Sequence, residues 1–304
     1  MFNLVILLIG FIMLIKGSDI FVESSSHIAK KFNIPSIIIG MTIVAMGTSA
    51  PELSVSINSA LAGLNDISIA NVVGSNIFNL LIVLGICSFL GKLKIDNYKD
   101  IWLLLAVCIE LFVLTVDKTL GIINGIILLV TFISHMTSMI KKAKDNTKEE
   151  NNNNKQKSFL ITIILGVLGL IAIVWGGDLV VNSASAIAIK LGMSENLVGL
   201  TIVAVGTSLP EFVTSAMATK KGELSIAIGN IIGSNIFNIL LILGVASVIN
   251  PMTVSVLALC DIIFMICSVV LFILLTVKNK AVNRKNGFIL VLIYIAYLIM
   301  TIIR

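Results

Sequence analysis

Charge is scarce in this chain. Of its 304 residues only 12% are Asp, Glu, Lys or Arg, against 58% hydrophobic, and the mean hydropathy of +1.09 lies outside the soluble globular range. Histidine is limited to His27 and His135, near the ends of apolar runs and without a partnering motif. The four cysteines, Cys87, Cys108, Cys260 and Cys267, sit inside apolar runs without metal-type spacing and read as small packing residues. The glycines from Gly229 to Gly233 lie in an apolar run without the strand that a nucleotide loop needs, so helix packing accounts for them better.

Apolar length is what the chain has instead. A spanning helix needs about 20 apolar residues, and ten such runs can be marked, near residues 2–22, 37–61, 67–90, 101–116, 120–140, 159–189, 197–218, 224–249, 254–277 and 287–303. The expected class is an all-α integral membrane protein with ten transmembrane helices. The first run lacks a basic leader and a small-residue cleavage site, so a cleaved signal peptide is not expected.

Seventeen of the 21 basic residues fall in alternate loops, among them Lys30, Lys92, Lys141, Lys220 and Lys278, while Lys118, Lys190 and Arg304 fall on the other side. By the positive-inside rule both termini are outside and the central loop is cytoplasmic, in a plasma membrane. The net charge of +5 therefore reports orientation, and the expected partner is the lipid bilayer, with no nucleic acid and no obligate protein partner. The one hydrophilic stretch, residues 141–157, is rich in Asn and charge and cannot bury a core, which makes it a cytoplasmic linker. It separates residues 1–140 from 158–304, five runs each. An odd number of crossings inverts the second half, giving two inverted five-helix repeats as in many secondary transporters.

The halves are related in sequence. GMTIVAMGTSAPE from Gly40 to Glu52 returns as GLTIVAVGTSLPE from Gly199 to Glu211, and NVVGSNIFN ending at Asn79 returns as NIIGSNIFN ending at Asn238. About half of the 46 positions from Gly40 to Gly85 recur identically at a constant offset of 159 residues. Both copies place a glutamate inside hydrocarbon, where a charge costs several kcal/mol without a partner and marks a functional site. Two at equivalent positions suggest one shared cation site.

Pro51 and Pro210 lack an N–H, so carbonyls one turn back, near Gly47 and Gly206, lose their helical partners and become available as ligands. In an unbroken helix Thr48 and Glu52 share a face at i, i+4, as do Thr207 with Glu211, Ser75 with Asn79, and Ser234 with Asn238. Carboxylates, hydroxyls, amide oxygens and loose carbonyls suit hard cations. Among divalents the crowded donor set favours Ca2+, since Mg2+ holds its water more tightly. Two glutamates are neutralised by one Ca2+ or two Na+, and the charge penalty on an empty pair favours exchange over uniport.

At GTSAPE, GTSLPE and the paired GSNIFN the chain resembles the cation/Ca2+ exchanger superfamily, specifically its prokaryotic Na+/Ca2+ exchanger branch, over nearly its whole length. The resemblance implies ten helices in inverted repeats, no enzymatic activity, no cofactor, and exchange of about three Na+ for one Ca2+ as transported ions. Carried onto matching positions, it implies Glu52 and Glu211 as carboxylate ligands and Thr48, Ser49, Thr207, Ser208, Ser75 and Ser234 as hydroxyl ligands. Ala45 and Ala204 contribute backbone carbonyls, and Asn79 and Asn238 complete the set. Many relatives carry Asp at one of the last two positions. Asn at both leans away from K+ co-transport.

An H+/Ca2+ antiporter using the same glutamates is the second reading. An intramembrane hydrolase and a passive cation channel fit the paired hydroxyls less well. Asp19 and Asp178 recur at the 159-residue offset but lie near helix ends, where structural or gating roles are expected. Glu110, Asp117 and Asp261 are unrepeated and read as interface groups.

Overall fold

The structure is a computed structural model and describes residues 2–95, 98–146, 159–193 and 204–303. Most of the hydrophilic stretch, the start of the second motif from Gly199 to Val203, and Arg304 lie outside the described residues.

Helices form nearly all of it. In chain order they are α1 (Phe2–Lys31), α2 (Ser36–Thr48), α3 (Ala50–Leu61), α4 (Ile67–Leu90), α5 (Lys99–Thr115) and α6 (Ile122–Asn146). There follow α7 (Phe159–Lys190), α8 (Ala204–Gly206), α9 (Leu209–Lys220), α10 (Leu224–Ile249), α11 (Val256–Thr276) and α12 (Arg284–Ile303). Seven helices among the described residues are long and apolar enough to cross a membrane, and α2 with α3 makes an eighth candidate as one broken span. The all-helical expectation is modified by four two-residue strands. β1 (Leu93–Lys94) pairs antiparallel with β4 (Ala281–Val282), and β2 (Thr119–Leu120) with β3 (Met252–Thr253). These clips join interhelical loops whose backbone groups otherwise lack partners.

Two units are distinguished, and each draws on both halves of the sequence. The first comprises Met1–Pro51 and Ser138–Asn230, the second Glu52–Thr137 and Ile231–Arg304.

In the first unit α1 and α7 run antiparallel with glycines at their crossing. A methyl group on Gly10 would come within 2.9 Å of the Gly176 carbonyl oxygen, and one on Gly17 within 2.8 Å of the Gly169 carbonyl oxygen. Without a hydrophobic driving force in lipid, this close backbone approach holds the helices together through van der Waals contact. Gly40 of α2 and Gly229 of α10 make the same kind of contact, with 2.7 Å and 2.6 Å from their hypothetical methyls to the carbonyl oxygens of Ile226 and Ile37. Along the second half of α1, Lys221 pairs with Asp19 at 2.8 Å and Glu23 at 3.4 Å, while Glu223 accepts from Ser26 at 2.5 Å and Lys30 at 3.1 Å. Asp19, expected near a helix end, lies within the helix because α1 runs on to Lys31, and it is held there in an ion pair.

In the second unit α4, α5, α11 and α12 pack through rows of buried aliphatics, including Leu80, Leu84, Leu104, Val269 and Leu290. Tyr294 meets Phe78 edge-on at 5.6 Å, and Tyr297 stacks on Phe264 at 4.5 Å. Most of the α4 and α10 spans is buried, 78% and 83%, against 17% of α12. The two inner helices are the ones that carry the repeated GSNIFN.

Candidate cation site

The proline in each motif copy ends one helix and begins another. Ser49 leaves helical geometry at φ −81°, ψ 11°, and Ser208 does so at φ −88°, ψ 4°. Pro51 and Pro210 then fall in the first turn of α3 and α9, where a missing N–H costs nothing. The same first turns contain Glu52 and Glu211. Unsatisfied N–H groups at a helix start carry partial positive charge, so the break supports a buried carboxylate. The Gly47 carbonyl, expected to lose its helical partner, accepts a backbone N–H at the end of α2. The two helices also end alike: Leu64 N–H donates to the Ser59 carbonyl at 2.8 Å and Glu223 N–H to the Ala218 carbonyl at 2.9 Å, closing Schellman turns on Gly63 (φ 72°) and Gly222 (φ 79°).

Both glutamates are 0% exposed. In the first unit Ser49 Oγ donates to Glu211 Oε1 at 2.7 Å, a contact between residues of different repeats. Thr48 Oγ1 donates toward Asn230 Oδ1 at 3.1 Å and the Ala45 carbonyl at 3.3 Å, and that carbonyl also accepts from Ser49 N–H at 3.0 Å. In the second unit Ser75 Oγ donates to Glu52 Oε1 at 3.2 Å, and Asn238 Nδ2 donates to Ser75 Oγ at 3.4 Å and Asn76 Oδ1 at 3.0 Å. Ser208 and Ser234 are fully buried and Thr207 half-buried. Ala204 is the first described residue of α8.

The i, i+4 relation of Thr48 to Glu52 presupposes an unbroken helix. The break at Ser49 puts the two residues on separate helical segments, and the bonds of Thr48 run to Asn230 and Ala45.

Asn79 and Asn238 each open a π-helical turn, Asn79–Val83 and Asn238–Leu243. A further π turn covers Gly40–Val44. Such turns widen the helix by one residue and recur at functional sites. In the second unit the buried side-chain oxygens of Asn79, Asn235 and Asn238 accept no hydrogen bond among the described residues. Buried polar atoms are normally satisfied, so these oxygens are unused acceptor capacity. Among the described residues no three His, Cys, Asp or Glu side chains cluster as a metal centre. Each unit by itself brings one carboxylate together with hydroxyls, amides and carbonyls, a donor chemistry that suits hard cations.

Sequence reading missed two symmetric pairs. Asn71 Nδ2 donates to the Glu52 carbonyl at 3.2 Å and to Ser56 Oγ at 3.1 Å. Asn230 Nδ2 donates to the Glu211 carbonyl at 3.4 Å and to Ser215 Oγ at 2.9 Å. Each asparagine thus fixes the turn that carries a glutamate. All four residues obey the 159-residue offset, which was the signal available. Glu110 is bonded by Thr131 Oγ1 at 2.8 Å, a local partner for an intramembrane acid.

A family model described as sodium/calcium exchanger protein matches residues 2–141 and 161–303. The chain is 33% identical to sodium/calcium exchanger MaX1 of Methanosarcina acetivorans over 98% of this chain and 97% of that protein. It is 32% identical to inner membrane protein YrbG of Escherichia coli, covering 83% of this chain and 82% of that protein. A solved structure of the sodium-calcium exchanger NCX_Mj, soaked with Na+ and Sr2+, matches with a TM-score of 0.88 and 32% identity, covering 97% of each chain.

Proposed function

Since this chain belongs to the sodium/calcium exchanger protein family, we propose that it is a secondary antiporter that exchanges about three Na+ for one Ca2+ by alternating access, independently of K+. The observation that carries this reading is the pair of wholly buried glutamates at equivalent repeat positions, each in the first turn of a proline-started helix and each accepting a serine hydroxyl. Glu52 and Glu211 serve as the carboxylate ligands. Thr48, Ser49, Ser75, Thr207, Ser208 and Ser234 supply hydroxyls, Asn79 and Asn238 amide oxygens, and Ala45 and Ala204 carbonyls. In this reading Thr48 turns its hydroxyl away from the Ala45 carbonyl when Na+ enters.

Charge balance supports exchange. With both carboxylates ionised, one Ca2+ or two Na+ cancels the charge. Emptying the pair leaves two negative charges in low dielectric, at several kcal/mol each. A carrier so built changes sides loaded. A third Na+ among neutral oxygens makes each cycle move one net charge, worth about 2.3 kcal/mol per 100 mV.

The proposed architecture is ten transmembrane helices in two inverted repeats, residues 1–140 and 158–304, joined by a cytoplasmic segment at 141–157. The protein sits in the plasma membrane with both termini outside. Uptake of radiolabelled Ca2+ into proteoliposomes loaded with Na+, K+ or acid tests the function. Uptake driven by internal Na+ alone, and absent in Glu52→Gln, is the expected result. Uptake driven by acid loading, and retained when Thr48 and Thr207 are both changed to Ala, assigns the chain to H+/Ca2+ exchange instead. Flux that needs no counter-ion identifies a channel.

A further inference from the structure

The two β-clips of the second unit are built alike and charged differently. In one, β1 pairs with β4 and the Ile95 N–H donates to the Lys280 carbonyl at 2.8 Å; in the other, β2 pairs with β3 and the Val254 N–H donates to the Lys118 carbonyl at 2.8 Å. Lys280 and Lys118 both take left-handed backbone, at φ 46° and 63°. The second clip, over residues 116–121 and 250–255, contains one lysine, Lys118, and one acid, Asp117, for no net charge. The first, over residues 91–100 and 277–286, contains seven basic residues against Asp96 and Asp100, a net charge of +5. The clip geometry therefore closes without the charge.

Orientation in the membrane does not require this arrangement either. The positive-inside rule fixes which end is basic, and residues 141–157 already supply six lysines. What the clip adds is a fixed array. Leu93, Ile95, Ala281 and Val282 are buried beneath it, while Lys92, Lys94, Lys280 and Arg284 are exposed on it. Lys99, Lys278 and Lys285 flank the array and are also exposed.

The array adjoins a hydrocarbon-facing collar. Leu90, Trp102, Leu274, Val277 and Phe288 are exposed at the adjoining helix ends or within about one turn of them. Exposed Trp at such a boundary marks headgroup depth. Basic residues at headgroup level above an apolar wall match a molecule with an anionic head and acyl chains, and each basic residue near such a surface strengthens attraction about fivefold at moderate salt.

We propose that the β1–β4 clip is a binding surface for an anionic phospholipid headgroup. The occupant is a membrane lipid, because the basic residues and the apolar collar are contiguous on the bilayer-facing ends of α4, α5, α11 and α12. The surface belongs to the second unit alone and does not depend on which ions are carried.

The test is retention of phospholipid by the purified full chain, read by native mass spectrometry after exchange into equal phosphatidylglycerol and phosphatidylcholine. Wild type is expected to retain phosphatidylglycerol at least tenfold over phosphatidylcholine, and the preference falls as NaCl rises. The variant Lys92→Gln/Lys94→Gln/Lys280→Gln/Arg284→Gln falls to near parity, while the control Lys141→Gln/Lys142→Gln/Lys144→Gln keeps the wild-type ratio. Equal retention of both lipids by wild type, a preference insensitive to salt, or one abolished equally by the control variant overturns the proposal. The wild-type salt titration decides alone if the quadruple variant does not fold. Inorganic phosphate added at equal charge distinguishes a lipid site from a simple anion site: displacement by phosphate overturns the lipid assignment. Lipid preference is read without transport, so failure here is separate from failure of the exchange reading.

Discussion

Replacing Glu52 by Gln is expected to raise the melting temperature of the ion-free protein and to erase the further rise on adding Ca2+. Glu52 is 0% exposed and its Oε1 accepts a neutral serine hydroxyl at 3.2 Å. Holding an ionised carboxylate there costs several kcal/mol after relaxation. A hydrogen bond to a charged group returns about 1.5–3 kcal/mol. Gln keeps the shape and an oxygen for Ser75 but carries no charge, so the ion-free state gains roughly 1–3 kcal/mol, the remainder of those two terms. Wild type gains about 2.7 kcal/mol from Ca2+ at a hundredfold excess over Kd. At about 2–4 °C per kcal/mol for a chain of this order of size, that is a rise of roughly 5–10 °C. Fluorescence-monitored melting in detergent at pH 8, with chelator or with Ca2+, separates the two effects. A variant that melts lower than wild type in chelator and still rises by the wild-type increment in Ca2+ would refute the assignment of Glu52 as a cation ligand.

Asn230→Ala removes two donated bonds and one accepted bond around Glu211. At about 0.5–1.5 kcal/mol each the loss is about 1.5–4.5 kcal/mol, and the half-saturating Na+ concentration rises in the vesicle assay. Asn79→Ala deletes an amide that makes no hydrogen bond among the described residues. Because a buried amide without a partner costs about 1–3 kcal/mol, the chelator melting temperature is expected not to fall while the Ca2+ uptake rate does, and unchanged uptake removes Asn79 from the ligand set. Gly17→Val drives a side chain into the α7 backbone and costs about 1–3 kcal/mol by overpacking, visible as a lower melting temperature in both ion conditions. Lys221→Gln loses partly exposed ion pairs with Asp19 and Glu23 and shifts stability by under about 1 kcal/mol.

The parts legible in the sequence are those written as period, composition or repetition. Apolar runs located most of the described helices to within a few residues, although α1 continues nine residues past the expected end near residue 22, through a polar stretch that hydropathy does not mark; the two prolines located the breaks, and the offset of 159 singled out Glu52 and Glu211. Interactions that join distant segments were not legible. Asn71 reaches Glu52 across 19 residues, from one helix to the next, and no periodicity reports such a pairing. The π turns left no trace because their residues keep ordinary helical angles, φ −60° and ψ −44° at Asn79. Two-residue strands are likewise too short to show alternation, which is why the clips at Leu93 and Thr119 were not anticipated. For Thr48, continuous-helix geometry was applied across Ser49, where the chain bends out of the helix.

The π turns that begin at Asn79 and Asn238 stand at the same position of the two repeats, as do the breaks at Ser49 and Ser208 and the left-handed glycines Gly63 and Gly222. One extra residue in the same turn of both halves is a property of the repeated unit, not of either copy alone. The pairings of Asn76 and Asn235 are not shared: Asn76 donates to the Asn235 carbonyl, Asn235 to its own helix at Ile231. The two copies therefore share their backbone irregularities while differing in side-chain bonding, so the symmetry of the repeat is carried by the main chain.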